Sequence, residues 1–147
     1  MNIKIKIKIP PVNQNPSDHD VRFLEDRVTE YNVQRTGIKD GKILSYLVRE
    51  EDGTIIGGLY GRTWGGCCEV RDLWVRWDYR KQGYGKGLMA AAQSEAIARG
   101  CRQMVMDIFS FQAPDFFQSL GFELVATQAD YPRGHQKQHL RKALPES

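Results

Sequence analysis

Arg80-Lys81-Gln82-Gly83-Tyr84-Gly85-Lys86-Gly87 stands where a strand hands over to a helix. Before it, Val70 to Trp77 is apolar and reads as the second half of a strand. After it, Tyr84 to Arg99 reads as a helix, with Tyr84, Leu88, Ala92 and Ala96 on one stripe and Gly100 at its end. Three of the eight residues are glycine, at alternate positions, and three are cationic. Glycine allows φ > 0 and lets main-chain N–H groups approach a ligand closely. The first turn of a helix leaves N–H groups without partners and carries partial positive charge. The combination is a cradle for phosphate. It is not a P-loop, because Gly85-Lys86 is followed by Gly87 rather than Ser or Thr. It is not the dinucleotide fingerprint either, because Leu88 stands where the third glycine is needed.

Working outward, Cys67 to Trp77 follows two other strand readings, Ile43 to Arg49 and Thr54 to Gly61. Asp52-Gly53 and Gly65-Gly66 supply the turns between them. The second half of Cys67–Trp77 has little polar alternation, which predicts a central strand. Gln103 to Phe109 is a short apolar strand, so the strand–helix–strand unit implies parallel pairing with a right-handed crossover. Ala113 to Leu120 reads as a short helix closed by Gly121. Phe122 to Gln128 and Gln136 to Lys142 read as a hairpin across residues 130–134. At the other end, isoleucine alternates with lysine from Met1 to Ile9, an edge-strand pattern stopped by Pro10-Pro11. Ser17 or Asp18 caps a helix running to about Arg35, with Val21, Leu24, Val28 and Tyr31 on one face and Gly37 after it. The expected order is strand, helix, three strands, helix, strand, helix, two strands: an α/β fold with a mixed sheet.

At 147 residues the chain is expected to form a single domain, 1–147, with a substantial core. Hydrophobic content of 41% and charged content of 27% belong to an ordinary globular protein. No apolar run approaches a membrane span, and no secretory leader is visible, so a cytoplasmic protein without a membrane partner is expected. A net charge of +3 suits a polyanionic small ligand but does not suggest nucleic acid. Cys67, Cys68 and Cys101 are odd in number and lack metal spacing, so they read as reduced thiols. His19, His135 and His139 form no metal pattern, and no metal is expected.

The motif that remains, Arg80-x-x-Gly83-x-Gly85, resembles the pyrophosphate-binding motif of the GNAT N-acetyltransferase superfamily. Asp72-Leu73-Trp74-Val75 before it and Phe117-Gln118-Ser119-Leu120-Gly121-Phe122 after it extend the likeness over roughly residues 40 to 143, to small bacterial members. The resemblance implies a mostly antiparallel central sheet with a V-shaped splay between two parallel strands, flanked by helices. The family is usually drawn with a second helix near its N-terminus. Here only a few residues separate Arg35 from Ile43, so that helix is expected to be absent or reduced to a turn.

The resemblance also implies acetyl-CoA as co-substrate and transfer of its acetyl group to an amine. The N–H groups of Gln82, Gly83, Tyr84, Gly85, Lys86 and Gly87 would hold the pyrophosphate, with Arg80, Lys81 and Lys86 adding charge. The pantetheine arm would lie along Leu73, Trp74 and Val75, one of whose N–H groups would face the thioester oxygen. A strand glutamate serves as base in some members, and Glu69 stands at that spacing from the motif; Asp72 is the second candidate. Surface pairing with Arg71 or Arg76 is the competing role for both. Many members carry a tyrosine that protonates the leaving sulfur where this chain has Phe117. Tyr131, Ser110 or water would have to substitute. Ser110 occupies the place of a cofactor-touching asparagine, and Phe117 packs either on the cofactor arm or in the core. Phe23, Tyr31, Tyr60, Trp64, Tyr131 and His135 are available to line an acceptor pocket suited to a cationic amine. The runs 112–116 and 131–135 are similar to small bacterial acetyltransferases, some of which resemble streptothricin-type antibiotic acetylators. The expected partner is therefore a small-molecule amine. A protein lysine or N-terminus, or a weakened acetyl-CoA-binding module, stand as alternatives. The edge strand or the last hairpin would serve a homodimer.

Overall fold

The computed structural model describes residues 7–146. The strand expected over Met1–Ile9 falls largely on residues 1–6, outside the described ones, and Ile7 to Ile9 belong to no strand. The chain divides into two compact units at Gly37. The first holds helix α1 (Asp18–Thr36). Ser17 caps it: its hydroxyl accepts from the Asp20 N–H at 3.1 Å. Gly37, at φ +72°, ends it and donates its N–H to the Val33 carbonyl.

The second unit is an α/β layer on a six-stranded sheet. Its strands are β1 (Lys42–Arg49), β2 (Ile55–Trp64), β3 (Cys67–Val75), β4 (Gln103–Phe109), β5 (Glu123–Ala129) and β6 (Gln136–Ala143). They lie in the order β1-β2-β3-β4-β6-β5. Only β3 and β4 are parallel; every other neighbouring pair is antiparallel. The crossover between them is helix α2 (Tyr84–Ala98), and the short helix α3 (Pro114–Ser119) follows β4. β3 is central, as its composition predicts. It stops at Val75, and Trp77–Tyr79 forms a 3₁₀ turn rather than a continuation of the strand. No helix stands between Gly37 and β1.

Alternation along the strands sorts the sheet into two faces. Cys68, Val70, Met104, Met106, Ile108 and Leu140 are buried on one face, against Leu88, Met89, Ala92 and Ala96 of α2 and Phe117 of α3. Glu69, Val105, Asp107 and His139 fall on the other. The far end of α2 is tied down by Arg99, which donates to the Ile43 carbonyl and the Thr63 hydroxyl, both at 3.1 Å. Tyr46 of β1 donates to the Ala91 carbonyl at 3.2 Å. These ties fix where the other end of α2, the glycine-rich one, points.

Two irregularities shape β3. Opposite β2, Tyr60 pairs with Asp72 and Gly61 with Val70, leaving Arg71 as an extra, bulged residue. A Cβ on Gly61 would collide with the Glu69 carbonyl oxygen, so the close approach at this bulge requires glycine. Opposite β4, pairing runs from Cys67↔Gln103 to Val70↔Met106 and then stops, although both strands continue. The two strands therefore part beyond the bulge. This is the splay that the resemblance predicts.

Candidate active site

The tip of α2 is built for an anion. Gly83 takes the N-cap position at φ +88°, left-handed, and offers no side-chain cap. The first intrahelical bond is Gly87 N–H to Gly83 O at 2.9 Å. The N–H groups of Gly83, Tyr84, Gly85 and Lys86 thus precede the helical ladder. A Cβ built on Gly83 or Gly87 would meet no atom within 4 Å, and one on Gly85 would meet only the Phe116 ring, at 3.5 Å. That open space beside bare N–H groups suits a pyrophosphate. Lys81 and Lys86 are exposed on either side. Arg80 does something the sequence does not announce: its Nε donates to the Val75 carbonyl at 2.8 Å, lashing the loop to the end of β3.

A second brace lies just before the loop. Arg76 makes a bidentate pair with Asp78, at 2.6 and 2.9 Å, and reaches Glu50 at 3.1 Å. The Tyr79 hydroxyl donates to the same Glu50. The hydrogen bonds from Arg76 hold the Asp78 carboxyl below the usual carboxylate range, and the hydrogen bond to Glu50 pushes the Tyr79 hydroxyl up. The cluster joins β3 to the β1–β2 turn.

The free edge of β3 faces the splay. Arg76 donates its N–H to the Ile56 carbonyl of β2 at 2.7 Å. Successive residues of a strand point their N–H groups to opposite sides, so Leu73 and Val75 direct theirs away from β2 and into the gap. Their side chains pack against the core, while Trp74 is exposed on the other face.

At the vertex of the splay a cleft of about 280 Å³ is lined by Glu69, Val70, Arg71, Val105, Met106, Asp107 and His139. Glu69 accepts from Arg71 Nε at 3.0 Å, and both side chains are about half exposed. His139 Nδ1 lies 2.7 Å from Asp107 Oδ1, and Lys137 Nζ lies 3.7 Å from Asp107 Oδ2. Beyond the cleft, Phe109, Phe111, Tyr131 and His135 form an aromatic group. Phe109 stacks on Phe111 at 5.6 Å and on Tyr131 at 5.4 Å, and Phe111 meets the His135 ring edge-on at 5.1 Å.

A sequence profile described as the acetyltransferase (GNAT) family matches residues 12–122. The chain belongs to that family. An acetyltransferase from Agrobacterium fabrum is 30% identical over 82% of this chain and 88% of its own length. The blasticidin-S acetyltransferase of Streptomyces morookaense is 37% identical over 64% of this chain and 70% of its own. The crystal structure of an acetyltransferase from Bacillus cereus superposes with a TM-score of 0.74 at 29% identity, covering 90% of this chain and 97% of that one. The protein is an acyltransferase, and its six-stranded mixed sheet with one splayed parallel pair is the GNAT fold.

Within this GNAT domain, Glu69 and the Leu73–Val75 edge converge on the splay, and the glycine loop follows at the end of the same strand. Asp72 shares Glu69's face but lies outside the cleft lining. Phe117 is buried at 6% exposure, edge-on to Phe116 and Phe122, so its ring is core. The Ser110 hydroxyl accepts from the Gln136 N–H at 3.1 Å, joining the end of β4 to the start of β6. Tyr131 is about half exposed at the end of the final hairpin. Asp107 and His139 were not read as a pair from sequence. They are 32 residues apart and meet through the β4–β6 register. The available signal was a carboxylate inside an otherwise apolar central strand.

Proposed function

We propose that this GNAT enzyme moves the acetyl group of acetyl-CoA to a primary amine of a small molecule by direct attack. The observation that carries the reading is the early end of β3–β4 pairing at Val70 and Met106, beside an uncapped glycine helix tip. The cofactor supplies an acetyl group activated as a thioester. The chain's own residues do the rest. The bare N–H groups of Gly83 to Lys86, with Arg80, Lys81 and Lys86 around them, bind the pyrophosphate. The free edge of Leu73 and Val75 holds the pantetheine like an added strand and offers an N–H to the thioester oxygen. An alkyl ammonium has a pKa of about 10.4, so a base must take its proton at neutral pH. Glu69 is that base, facing the cleft into which the amine enters. With phenylalanine at position 117, the thiol, with an ordinary pKa of about 8.5, leaves as thiolate or takes a proton from Tyr131 or water.

Three observations favour a small acceptor. The cleft, about 280 Å³, is at the small end for ligand sites. Glu69 and Asp107 line it, and the Phe109–Phe111–Tyr131 rings stand further along from Asp107, a combination that suits a cationic amine. A relative at 37% identity is named for blasticidin S. All three cysteines are free, which fits a reducing cytoplasm. The family match crosses Gly37, and we read the whole chain as one working domain.

The test pairs calorimetric titration of acetyl-CoA with a thiol-release assay over an amine panel that includes blasticidin S. We expect binding and turnover in the wild type. Gly85→Leu should lose binding while melting at an unchanged temperature. Full affinity in that variant would remove the helix tip as the cradle. Phe117, buried and without a hydroxyl, favours one second reading: a catalytically weakened acetyl-CoA-binding module. Tight binding with an inert panel would select it. Glu69→Gln should lower turnover at neutral pH by about 10²-fold or more and much less near pH 10. An unchanged pH profile would remove Glu69 as base.

A further inference from the structure

We propose that His139, oriented by Asp107, is a second proton acceptor in the acceptor cleft: Glu69 takes the ammonium proton before attack, and His139 Nε2 takes the proton that nitrogen releases as the C–N bond forms. This rests on the reading of that cleft as the place where the amine is acetylated.

Asp107 and His139 are direct cross-strand partners, on the same face of the sheet as Glu69. Both line the cleft that Glu69 lines. His139 Nδ1 is 2.7 Å from Asp107 Oδ1. An ionised carboxylate only accepts hydrogen bonds, so Nδ1 carries the hydrogen and Nε2 keeps its lone pair. Three cations lie nearby. Lys137 Nζ, on β6, sits 3.7 Å from the other oxygen of Asp107. Arg141, two residues along β6, is turned to Gln103 at 2.7 Å. Arg71, on β3, is engaged by Glu69 at 3.0 Å. A general base works best when its pKa lies near the operating pH. An imidazole, ordinarily near ~6.5, meets that condition better than a carboxylate, ordinarily near ~4.3.

The proton balance is simple. Attack by the neutral amine forms the C–N bond and leaves nitrogen with one proton too many; that N–H bond breaks, its electron pair stays on nitrogen, the proton forms an N–H bond at Nε2, and the C–S electron pair departs with the thiolate. The resulting imidazolium keeps its Nδ1–H on Asp107, with the Glu69 charge across the cleft, and returns its proton to solvent after transfer.

Two measurements test the pair. The first is nitrogen-15 NMR of the histidine rings in the enzyme without amine. His139 should be the Nδ1–H tautomer in the wild type, and Asp107→Ala should shift it toward Nε2–H. The second is kcat/KM against pH over the amine panel. His139→Gln should fall about tenfold to a hundredfold at pH 7 and recover by about pH 10, with the acetyl-CoA Kd unchanged. A wild-type Nε2–H tautomer overturns the proposal. So does a His139→Gln variant with the wild-type profile. A wild type that turns over no amine would strike the acetyl-transfer reading instead, and the tautomer would still decide the pair.

Discussion

Cys68 sits on β3 at 0% exposure, one residue before the proposed base. Burial, followed by the nearby Cys101 and Cys67 thiols, pushes its thiol up to about 12. Burial also raises Cys67 and Cys101. In the unfolded chain a thiol ionises at about 8.5. A folded-state value raised above the unfolded one gives stability that is complete below about pH 8.5 and is lost as pH climbs toward 12. Urea unfolding at pH 7, 8, 9 and 10 should therefore give a level stability up to about pH 8.5 and a decline above it. Cys68→Ala should show a shallower decline. A decline equally steep in that variant would place its cause elsewhere. At the same scale, His139 shows how a residue's role depends on its partner. Alone in sequence it is one of three scattered histidines; across from Asp107 its Nδ1 has a carboxylate partner at 2.7 Å.

At the scale of the element, β3 carries the site and its irregularities do the positioning. The bulge at Arg71 re-aims the strand after Glu69, so that the proposed base lies at the vertex and the Leu73–Val75 edge opens beyond it. Gly61 is the residue across the sheet that permits it. Gly61→Ala would drive its methyl into the Glu69 carbonyl, a main-chain atom that cannot rotate aside. The variant should lose about 1–3 kcal/mol of stability, as overpacked sites do, and lose turnover beyond that loss. Thermal unfolding and thiol release measure the two separately. Wild-type values in both would show that the bulge is not what aims Glu69. At the other end of β3, Arg80 on the Val75 carbonyl and the Arg76–Asp78–Glu50–Tyr79 cluster hold the strand, the 3₁₀ turn and the glycine loop in one register.

Across the six-stranded unit, the sheet is closed at the start of the parallel pair and open at its end. The closed part lies among the core residues beneath α2, and the open part leaves main-chain groups facing a gap. Amide hydrogen exchange should register the difference. The Leu73 and Val75 amides should exchange fast in the free enzyme and slow about tenfold or more with acetyl-CoA. The Met104 amide, within the paired part of β4, should be slow in both. Equal protection of Leu73 and Val75 with and without acetyl-CoA would mean that no ligand joins the β3 edge. A second cavity, about 310 Å³, lies by Glu95, Arg99 and Cys101. These residues sit at the opposite end of α2 from the glycine loop, about 20 Å away at 1.5 Å per residue. It is remote from this chemistry.

The order of strands and helices was legible in the sequence because it depends on local physics. Asp52-Gly53 and Gly65-Gly66 fix turns wherever they fall. Ser17 and Gly37 bound a helix by satisfying its own end groups. The glycines from Gly83 to Gly87 mark a bare helix tip, the basis of the proposed phosphate cradle. What the sequence by itself determined was thus the element order from α1 onward and the parallel crossover. The tertiary structure alone decided the rest. A bulge is a mismatch between two strands, so Arg71 and Gly61 show it only once β2 and β3 are in register. Phe117 lies in the core because Phe116 and Phe122 meet it there. Asp107 and His139 become one unit only across the β4–β6 ladder. Pairing between distant strands is set by the packing of a whole sheet, and no local stretch of chain contains it.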